Sequence, residues 1–257
     1  MKTPIRDPFK STASSTLQEI IPPASKINFF NLYGGFLESN LGASDRVVVA
    51  NTNRYVIYEF WKCALENPNQ IADVVKFMRE RDLLNSYTLE ILQDQWAFYK
   101  NPYLRAALFF LLNNCSTTGQ VSTGTADEQA FSPFALTALR SFTPGLFYLN
   151  FYDKLEVLDF DFEDLRTDFV VFSLGKFSYN LFEHGTYTGL EEVRINHRQM
   201  RTFLNHTSHK TLFLYEMHPH LPEFYKDHKV IYLDVYGRPT TDAAKAREVI
   251  VANFGIS

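Results

Sequence analysis

Two stretches decide the fold: Phe29-Phe30-Asn31-Leu32-Tyr33-Gly34-Gly35-Phe36 and Arg46-Val47-Val48-Val49-Ala50-Asn51-Thr52-Asn53. An apolar run, a glycine pair, a helical interval and a second apolar strand are typical of the opening of a nucleotide-type α/β sheet. Glycines after the first strand let the backbone pass close to a ligand, and a polar residue ending the second strand can reach a ribose. The turn lacks a complete G-x-G-x-x-G pattern, so a buried strand followed by an ordinary glycine turn is the alternative.

The composition excludes several classes of protein. The chain has 257 residues, 46% of them hydrophobic and 21% charged, and its net charge is −4. These values are typical of a globular protein with a large core, and they provide no overall positive field for nucleic acid. No apolar run is long enough to span a membrane, and two cysteines, Cys63 and Cys115, suit a reducing compartment. We therefore expect a soluble, cytoplasmic protein without a membrane partner, located in a host cytoplasm or a virion if a phage encodes it.

The order of predicted elements divides the chain. Residues 1–25 are polar and contain four prolines, which predicts an extended N-terminal arm. Residues 26–257 form one α/β domain with a helical lobe inserted at about 55–140. Asn69 is expected to cap a helix over 70–81. Strands are predicted near 27–32, 46–50, 146–150, 168–172, 211–216, 229–236 and 248–253, and helices near 36–41, 54–66, 70–81, 87–99, 102–113, 134–141, 160–165 and 191–206.

Several local stretches, in this order, resemble the Dam-type (adenine-specific) DNA methyltransferases. Residues 30–35 fall where that family has Glu-Pro-Phe and its glycine-rich cofactor loop, and Ala50-Asn51-Thr52-Asn53 falls where it has Ala-Asp-Ile-Asn. Residues 101–113 resemble its helix before the DNA-recognition hairpin, and residues 248–254 resemble its closing strand. The resemblance implies a Rossmann-like sheet that binds S-adenosylmethionine. If any residues bind this cofactor, the resemblance points to Tyr33, Gly34, Gly35 and Asn51.

The chain departs from the family at its sites of chemistry. Where the family has Asp-Pro-Pro-Tyr, which holds and stacks on the flipped adenine, the sequence continues from 168–172 with Ser173-Leu174-Gly175-Lys176-Phe177. Asn31 and Leu32 replace the family's Glu and Pro, and Asn51 replaces an anionic acceptor by a neutral one. Its Lys-containing N-terminal motif has no counterpart in 11–25. The resemblance therefore predicts a degenerate catalytic motif.

The segment that would contact DNA lacks positive charge. Residues 106–139 contain no Lys or Arg and include Asp127 and Glu128. Cations supply most non-specific affinity for phosphates, so we expect no nucleic-acid binding through this segment.

Two other patterns were considered as sites. The pairs His206/His209 and His218/His220 have spacings that occur in metal sites, but no third ligand accompanies them, so no metal is expected. Residues 155–164 alternate acids with aromatics, which fits a solvated sheet edge better than a pair of catalytic carboxylates.

The leading hypothesis is a catalytically inactive methyltransferase-like protein, kept as a protein-interaction or structural component, such as part of a phage virion. It needs no cofactor and has a protein partner or forms a homo-oligomer. One alternative is a divergent active methyltransferase that uses S-adenosylmethionine, with Asn31, Asn51 and Ser173 in place of the missing acids. Another is a non-catalytic nucleic-acid-binding or anti-restriction protein.

The crevice in which the resemblance would place the cofactor provides a structural prediction. Gly35, Asn51 and the turn after residue 172 should meet at the carboxyl ends of adjacent strands. Without a cofactor, aromatic side chains gain free energy by filling that space. We expect Phe36 or Phe177 to narrow the crevice until no cofactor-sized molecule fits.

Overall fold

The computed structural model describes residues 3–81, 83–122, 125–152, 167–177 and 195–256. The chain has an α/β fold in which one eight-stranded mixed sheet, in the order β3-β2-β1-β4-β5-β8-β6-β7, is flanked by helices. The strands are β1 (Lys26–Phe30), β2 (Val47–Thr52), β3 (Phe147–Phe151), β4 (Phe169–Gly175), β5 (Lys210–Glu216), β6 (Lys229–Leu233), β7 (Pro239–Thr240) and β8 (Glu248–Ala252). This is the predicted Rossmann-like class.

Strands β3, β2, β1, β4 and β5 are parallel, whereas β8 runs antiparallel between β5 and β6. β1 lies in the middle of the parallel part, with Phe30 opposite Asn51 of β2 and Phe172 of β4. Parallel strands are buried on both faces, which explains their nearly continuous apolar sequences.

The α-helices are α1 (Ser14–Ile20), α2 (Phe36–Ala43), α3 (Tyr55–Glu66), α4 (Pro68–Glu80), α5 (Ser86–Gln95), α6 (Pro102–Cys115), α7 (Phe134–Arg140), α8 (His197–His206) and α9 (Leu221–Phe224). Short 3-10 turns lie at Trp96–Phe98 and Glu128–Ala130. Helices α3 to α7 form the region between β2 and β3 for which the sequence predicted a helical insertion. The predicted helix at 160–165, the residues 155–164 and the start of the helix at 191–206 lie outside the described residues.

Asparagine side chains begin four of these helices. Asn67, Asn85, Asn101 and Asn196 each accept a hydrogen bond from the backbone N–H three residues later. Such caps satisfy an N–H group that has no partner within the helix. The predicted cap at Asn69 is wrong, because Asn67 caps α4 and Pro68 occupies its first turn.

The N-terminal region packs against the domain, so the predicted extended arm is wrong for residues 3–25. Ala13, Leu17 and Ile21 are fully buried and belong to the same apolar cluster as β1 and α2. The buried guanidinium of Arg46 donates to the carbonyls of Gln18 and Ile21. Apolar residues spaced by four and an arginine from β2 therefore fix α1, despite the prolines around it.

Three apolar clusters surround the sheet. One fills the helical lobe around Trp61, Phe109 and Phe110. The other two cover opposite faces of the sheet, with Phe29 and Val171 on one and Phe30 and Phe172 on the other. No helix in the described part of the chain has the length and hydropathy needed to cross a membrane.

Candidate functional site

A cavity of about 420 Å³ lies at the carboxyl ends of β1 and β4. The chain leaves these adjacent parallel strands in opposite directions, towards β2 and towards β5. Open α/β sheets bind their ligands at such a switch point. The cavity is bounded by residues 3–12, which we call the N-terminal strap, together with the end of β1, the first turn of α2 and Ser173.

An open volume of about 420 Å³ therefore contradicts the prediction that Phe36 or Phe177 narrows the crevice until no cofactor-sized molecule fits. The volume falls within the range of small-molecule sites. Phe36 lines the cavity, but Phe177 does not, because its ring packs against His197, Tyr215 and Phe224 on one face of the sheet. The strap adds walls that enclose a space beside the turn, and the sequence contained no sign that it would do so.

The glycine turn is in contact with the strap. The Gly34 N–H donates to the carboxylate of Asp7 at 2.9 Å. A Cβ atom built on Gly34 would lie 2.6 Å from the Asp7 Cβ, so any other residue here would require the strap to move. The absence of a side chain on Gly34 thus allows the Asp7 side chain to approach the backbone of the turn.

The second glycine begins α2. Gly35 has a φ of +67°, and a Cβ atom there would lie 2.7 Å from the indole of Trp61. Trp61 donates its Nε1–H to the Tyr33 carbonyl at 2.7 Å, and the Tyr33 hydroxyl donates to the carbonyl of Gly119 at 2.8 Å. The turn is therefore buried against the helical lobe on this side.

Asn51 does not line the cavity. Its Nδ2 group donates to Val49 O and Phe29 O at 2.9 and 3.2 Å and to Asn28 Oδ1 at 3.2 Å, and its Oδ1 accepts from Asn150 Nδ2 at 2.8 Å. Because these neighbours occupy both ends of the amide, the side chain is held within the sheet. A ribose contact by Asn51 would require several of these bonds to break.

Residues 173–177, which the sequence resemblance aligns with the catalytic motif of Dam-type methyltransferases, separate in space. Ser173 lines the cavity, and its carbonyl accepts from Asn31 Nδ2 at 3.0 Å. Leu174 and Phe177 are buried in the cluster around Phe172, Gly175 has a φ of +62°, and Lys176 is exposed. Phe177 is therefore not available to stack on a ligand in this cavity.

The cavity is shared by the acids Asp7 and Glu38 and the amide Asn31. The sequence did not identify these three residues as a common site. Glu38 on α2 is buried, and Asp7 comes from the strap. The pKa of Glu38 is raised to about 8, chiefly by burial and partly by the charge of Asp7, against its own backbone hydrogen bond and the charge of Arg54. Burial also raises the pKa of Asp7, against the hydrogen bonds from Gly34 and Phe9 and the charge of Arg54. Only the long-range position of the strap brings these groups together.

The strap is anchored to the helical lobe near its start. Arg6 and Asn113 exchange two hydrogen bonds, from Arg6 N to Asn113 Oδ1 at 2.7 Å and from Asn113 Nδ2 to Arg6 O at 2.9 Å. The Arg6 guanidinium donates to the carbonyls of Ser116 and Ala130. Asn114 Nδ2 also donates to the carbonyl of Pro4.

The end of the strap is anchored to the sheet. The buried Glu248 carboxylate, at the start of β8, accepts from Ser11 Oγ at 2.5 Å and from the backbone N and Oγ1 of Thr12 at 2.6 and 2.7 Å. The strap therefore crosses the carboxyl edge of the sheet with an anchor on each side of the cavity.

A second cleft of about 860 Å³ shares Phe9, Lys10 and Thr12 of the strap with this cavity. Its lining includes the cations Lys10, Lys176 and Arg247 and the acids Glu216 and Glu248. The three cations lie outside residues 106–139, although Thr117, Thr118 and Gln120 from that segment contribute neutral side chains.

Tyrosine and histidine form a buried polar cluster away from the cavity. The hydroxyls of Tyr215 and Tyr225 are 2.8 Å apart, and His197 Nδ1 is 3.3 Å from the Tyr215 hydroxyl. Burial lowers the pKa of His197 to about 4. Among the described residues, no three His, Cys, Asp or Glu side chains come close enough together to hold a metal ion.

Comparison with known proteins adds no family assignment. No protein-family model matches the chain, and no match was found among curated proteins.

Proposed function

We propose that the chain is a methyltransferase-like protein that does not methylate adenine and that acts through contacts with other proteins, as a structural or assembly component such as part of a phage virion. The observation that carries this proposal is the contact of Asp7 with Gly34. The carboxylate and Cβ of Asp7 lie against the glycine turn, where the family resemblance would place the cofactor.

Two further features support the absence of methyl transfer. Asn51, at the position where the family has its ribose acceptor, is engaged by Asn28 and Asn150 within the sheet. Phe177, at the position of the family's stacking tyrosine, is buried against Tyr215. Neither residue lines the cavity, so the two side chains to which the family resemblance would assign ribose contact and base stacking do not face a ligand there.

The helical lobe presents the surface on which the protein-contact proposal is based. Large apolar side chains are exposed on α4, α5, α7 and the turn after α5: Phe77, Tyr87, Ile91, Phe98 and Phe134. Phe98 is 83% exposed and Phe134 is 79% exposed. Exposed apolar patches often mark protein interfaces, and aromatic residues are enriched there.

Methyl transfer and cofactor binding test the proposal directly. The full chain is incubated with S-adenosylmethionine carrying a labelled methyl group and with unmethylated DNA, and calorimetry measures cofactor binding. We expect no label in DNA and no binding heat. Micromolar affinity for the cofactor would contradict the proposal, and so would label transfer that Gly35→Trp abolishes. This substitution is chosen because it places a second indole in the glycine turn, beside Trp61.

A divergent active methyltransferase is the second candidate. The cavity of about 420 Å³ favours it, since Asn31 and Ser173 both lie there. In that case Asn31 and Ser173 would orient the substrate, whereas Asn51 would first have to leave its hydrogen bonds in the sheet. The same labelling experiment, with RNA and protein as further acceptors, separates the two candidates.

Non-catalytic nucleic-acid binding, including an anti-restriction role, is the third candidate. Lys10, Lys176 and Arg247 in the cleft of about 860 Å³ favour it, and Glu216 and Glu248 in the same lining oppose it. Phosphate binding depends strongly on salt. A gel shift at low salt tests it, and an absent complex removes this candidate.

A further inference from the structure

The cavity at the carboxyl ends of β1 and β4 contains a hydrogen-bond acceptor without a donor. Asn31 is 8% exposed, its Nδ2 donates to Ser173 O, and no described residue donates to its Oδ1. A buried polar atom without a hydrogen-bond partner destabilises the folded state. A ligand that donates an N–H to Oδ1 would recover part of that free energy.

Two carboxyl groups share the cavity with this acceptor. Glu38 is 4% exposed, and burial is the main cause of its raised pKa. The Asp7 carboxylate accepts from the N–H groups of Gly34 and Phe9. The cavity therefore combines two carboxyl groups with the Asn31 acceptor, and an ionised buried carboxylate needs a positive partner.

The cations near the cavity are largely engaged elsewhere. The Arg6 guanidinium donates to the carbonyls of Ser116 and Ala130, Arg54 Nη2 donates to Leu32 O, and its guanidinium lies over the Tyr33 ring. Lys10 is exposed, and its ammonium group has access to water. The charges of Arg6, Arg54 and Lys10 reduce the negative potential that Asp7 and Glu38 create in the cavity. Among the described residues, no hydrogen bond joins these cations to Glu38, so a cationic ligand can still pair with that carboxylate.

The remaining walls are aromatic. Phe9, Phe29 and Phe36 line the same cavity as the acceptors. Aromatic faces attract ammonium groups and also pack against apolar surface. The volume of about 420 Å³ suits a small molecule rather than a peptide or a nucleic-acid strand.

We propose that this cavity binds a small primary amine in its ammonium form, with a compact apolar body against the phenylalanines. The ammonium group donates to Asn31 Oδ1 and to the Glu38 carboxylate, and Asp7 contributes a second negative charge. This site is independent of the proposed protein-contact function, which makes no use of the cavity.

Protonation is linked to this binding. Since burial raises the pKa of Glu38 to about 8, with Asp7 adding to the effect, Glu38 is mostly protonated in the empty cavity at neutral pH. An ammonium ion favours the carboxylate, so binding releases a proton. Affinity should therefore increase as the pH rises towards 8, with Asp7, Arg54, Arg6 and Lys10 as the other charged groups around the site.

Calorimetry on the full chain at about pH 8 tests the proposal with three probes of similar shape: benzylamine, benzyl alcohol and benzoate. We expect benzylamine to bind at least about tenfold more tightly than the other two, because a charge-assisted hydrogen bond contributes about 1.5–3 kcal/mol. Absent benzylamine binding, or equal binding of the three probes, would overturn the proposal.

Substitutions locate the site. Glu38→Gln and Asn31→Gly should each weaken benzylamine binding about tenfold, and glycine tolerates the φ of +66° at residue 31. Glu90→Gln, on an exposed face of α5, is the matched control and should leave affinity unchanged. Unchanged affinity in a folded Glu38→Gln variant would overturn the proposal. If Asn31→Gly does not fold, the three probes on the unsubstituted protein still decide.

A parallel titration with S-adenosylmethionine keeps the two proposals separate. Cofactor binding with methyl transfer would contradict the proposed function, whereas the amine site depends only on the comparison of benzylamine with its neutral and anionic analogues.

Discussion

The side chain of Asp7 occupies the space that a side chain on Gly34 would need. The two residues are joined by a hydrogen bond, and a Cβ atom on Gly34 would lie 2.6 Å from the Asp7 Cβ and 2.7 Å from its Oδ2. A contact this close couples the strap to the first turn of the sheet.

Gly34→Ala should therefore lower the free energy of unfolding by about 1–3 kcal/mol, because the added methyl group forces the strap to move. In an Asp7→Gly background the same change should cost distinctly less, since the obstructing atoms are gone. Urea denaturation of the four proteins measures the coupling. Gly255→Ala is the control, because a Cβ there meets nothing within 4 Å. Equal costs in both backgrounds would show that the contact with Asp7 is not the cause.

Glu38 should make stability depend on pH. Burial raises its pKa from 4.5 to about 8, with the charge of Asp7 as a further cause. A raised pKa means that the folded state holds the proton more tightly. The stabilisation is therefore complete below about pH 4.5 and is lost as the pH rises to about 8. The free energy involved is on the order of several kcal/mol.

Glu38→Gln removes this dependence, and the variant should become more stable than the unsubstituted protein near pH 8. Denaturation at several pH values tests this, with Glu90→Gln as the control. The lowered pKa of His197, about 4, also makes stability depend on pH, because it reduces stability as the pH falls. The Glu90→Gln control keeps both contributions and Glu38→Gln keeps only that of His197, so comparing their pH profiles isolates the contribution of Glu38. Parallel pH profiles for Glu38→Gln and the unsubstituted protein would contradict the prediction.

The hydroxyl pair of Tyr215 and Tyr225 should be sensitive to the loss of one member. Both residues are fully buried, and their oxygens are 2.8 Å apart. Tyr225→Phe leaves the Tyr215 hydroxyl with a poorer set of partners and should cost about 1–3 kcal/mol. The double substitution should cost less than the sum of the single ones. Tyr236→Phe, at an exposed residue, should have no effect beyond about 0.5 kcal/mol.

The ion pair between Arg105 and Glu59 should matter more than the exposed pairs of the lobe. Arg105 Nε donates to Glu59 at 2.6 Å and Nη2 donates to its other oxygen, which joins α6 to α3. Arg105→Met leaves a mostly buried carboxylate and should cost about 3–5 kcal/mol. Lys76→Met, in the exposed pair with Glu80, should cost less than about 1 kcal/mol. Thermal denaturation compares the two, and similar costs would refute the distinction.

Much of the fold follows from local sequence patterns. The apolar runs that precede Asn31, end at Thr52 and begin at Phe169 all form strands within a few residues of the predicted bounds. Such runs are informative because buried parallel strands need apolar residues on both faces. Helix α1 was missed because its buried positions are few and its neighbours are serines, threonines and prolines, so tertiary contacts with Arg46 and β1 decide its structure.

The site was less predictable than the sheet. The glycine turn and Ser173 do lie near one cavity, as the order of strands implied. Asn51 was expected to face it, but strand register places Asn150 beside it, and register between distant strands is not visible in one sequence. Asp7 was assigned to an extended arm and Glu38 to the helix predicted near 36–41, and nothing local indicates that the two residues meet.

The anchor of the strap on Glu248 has a consequence for how the protein forms during translation. Ser11 and Thr12 leave the ribosome more than two hundred residues before the carboxylate that holds them. Until β8 has been synthesised, this part of the strap has no partner on the sheet, and pairing over such a distance in sequence is slow. The wall of the cavity formed by Ser11 and Thr12 is thus completed only when the last strand is in place.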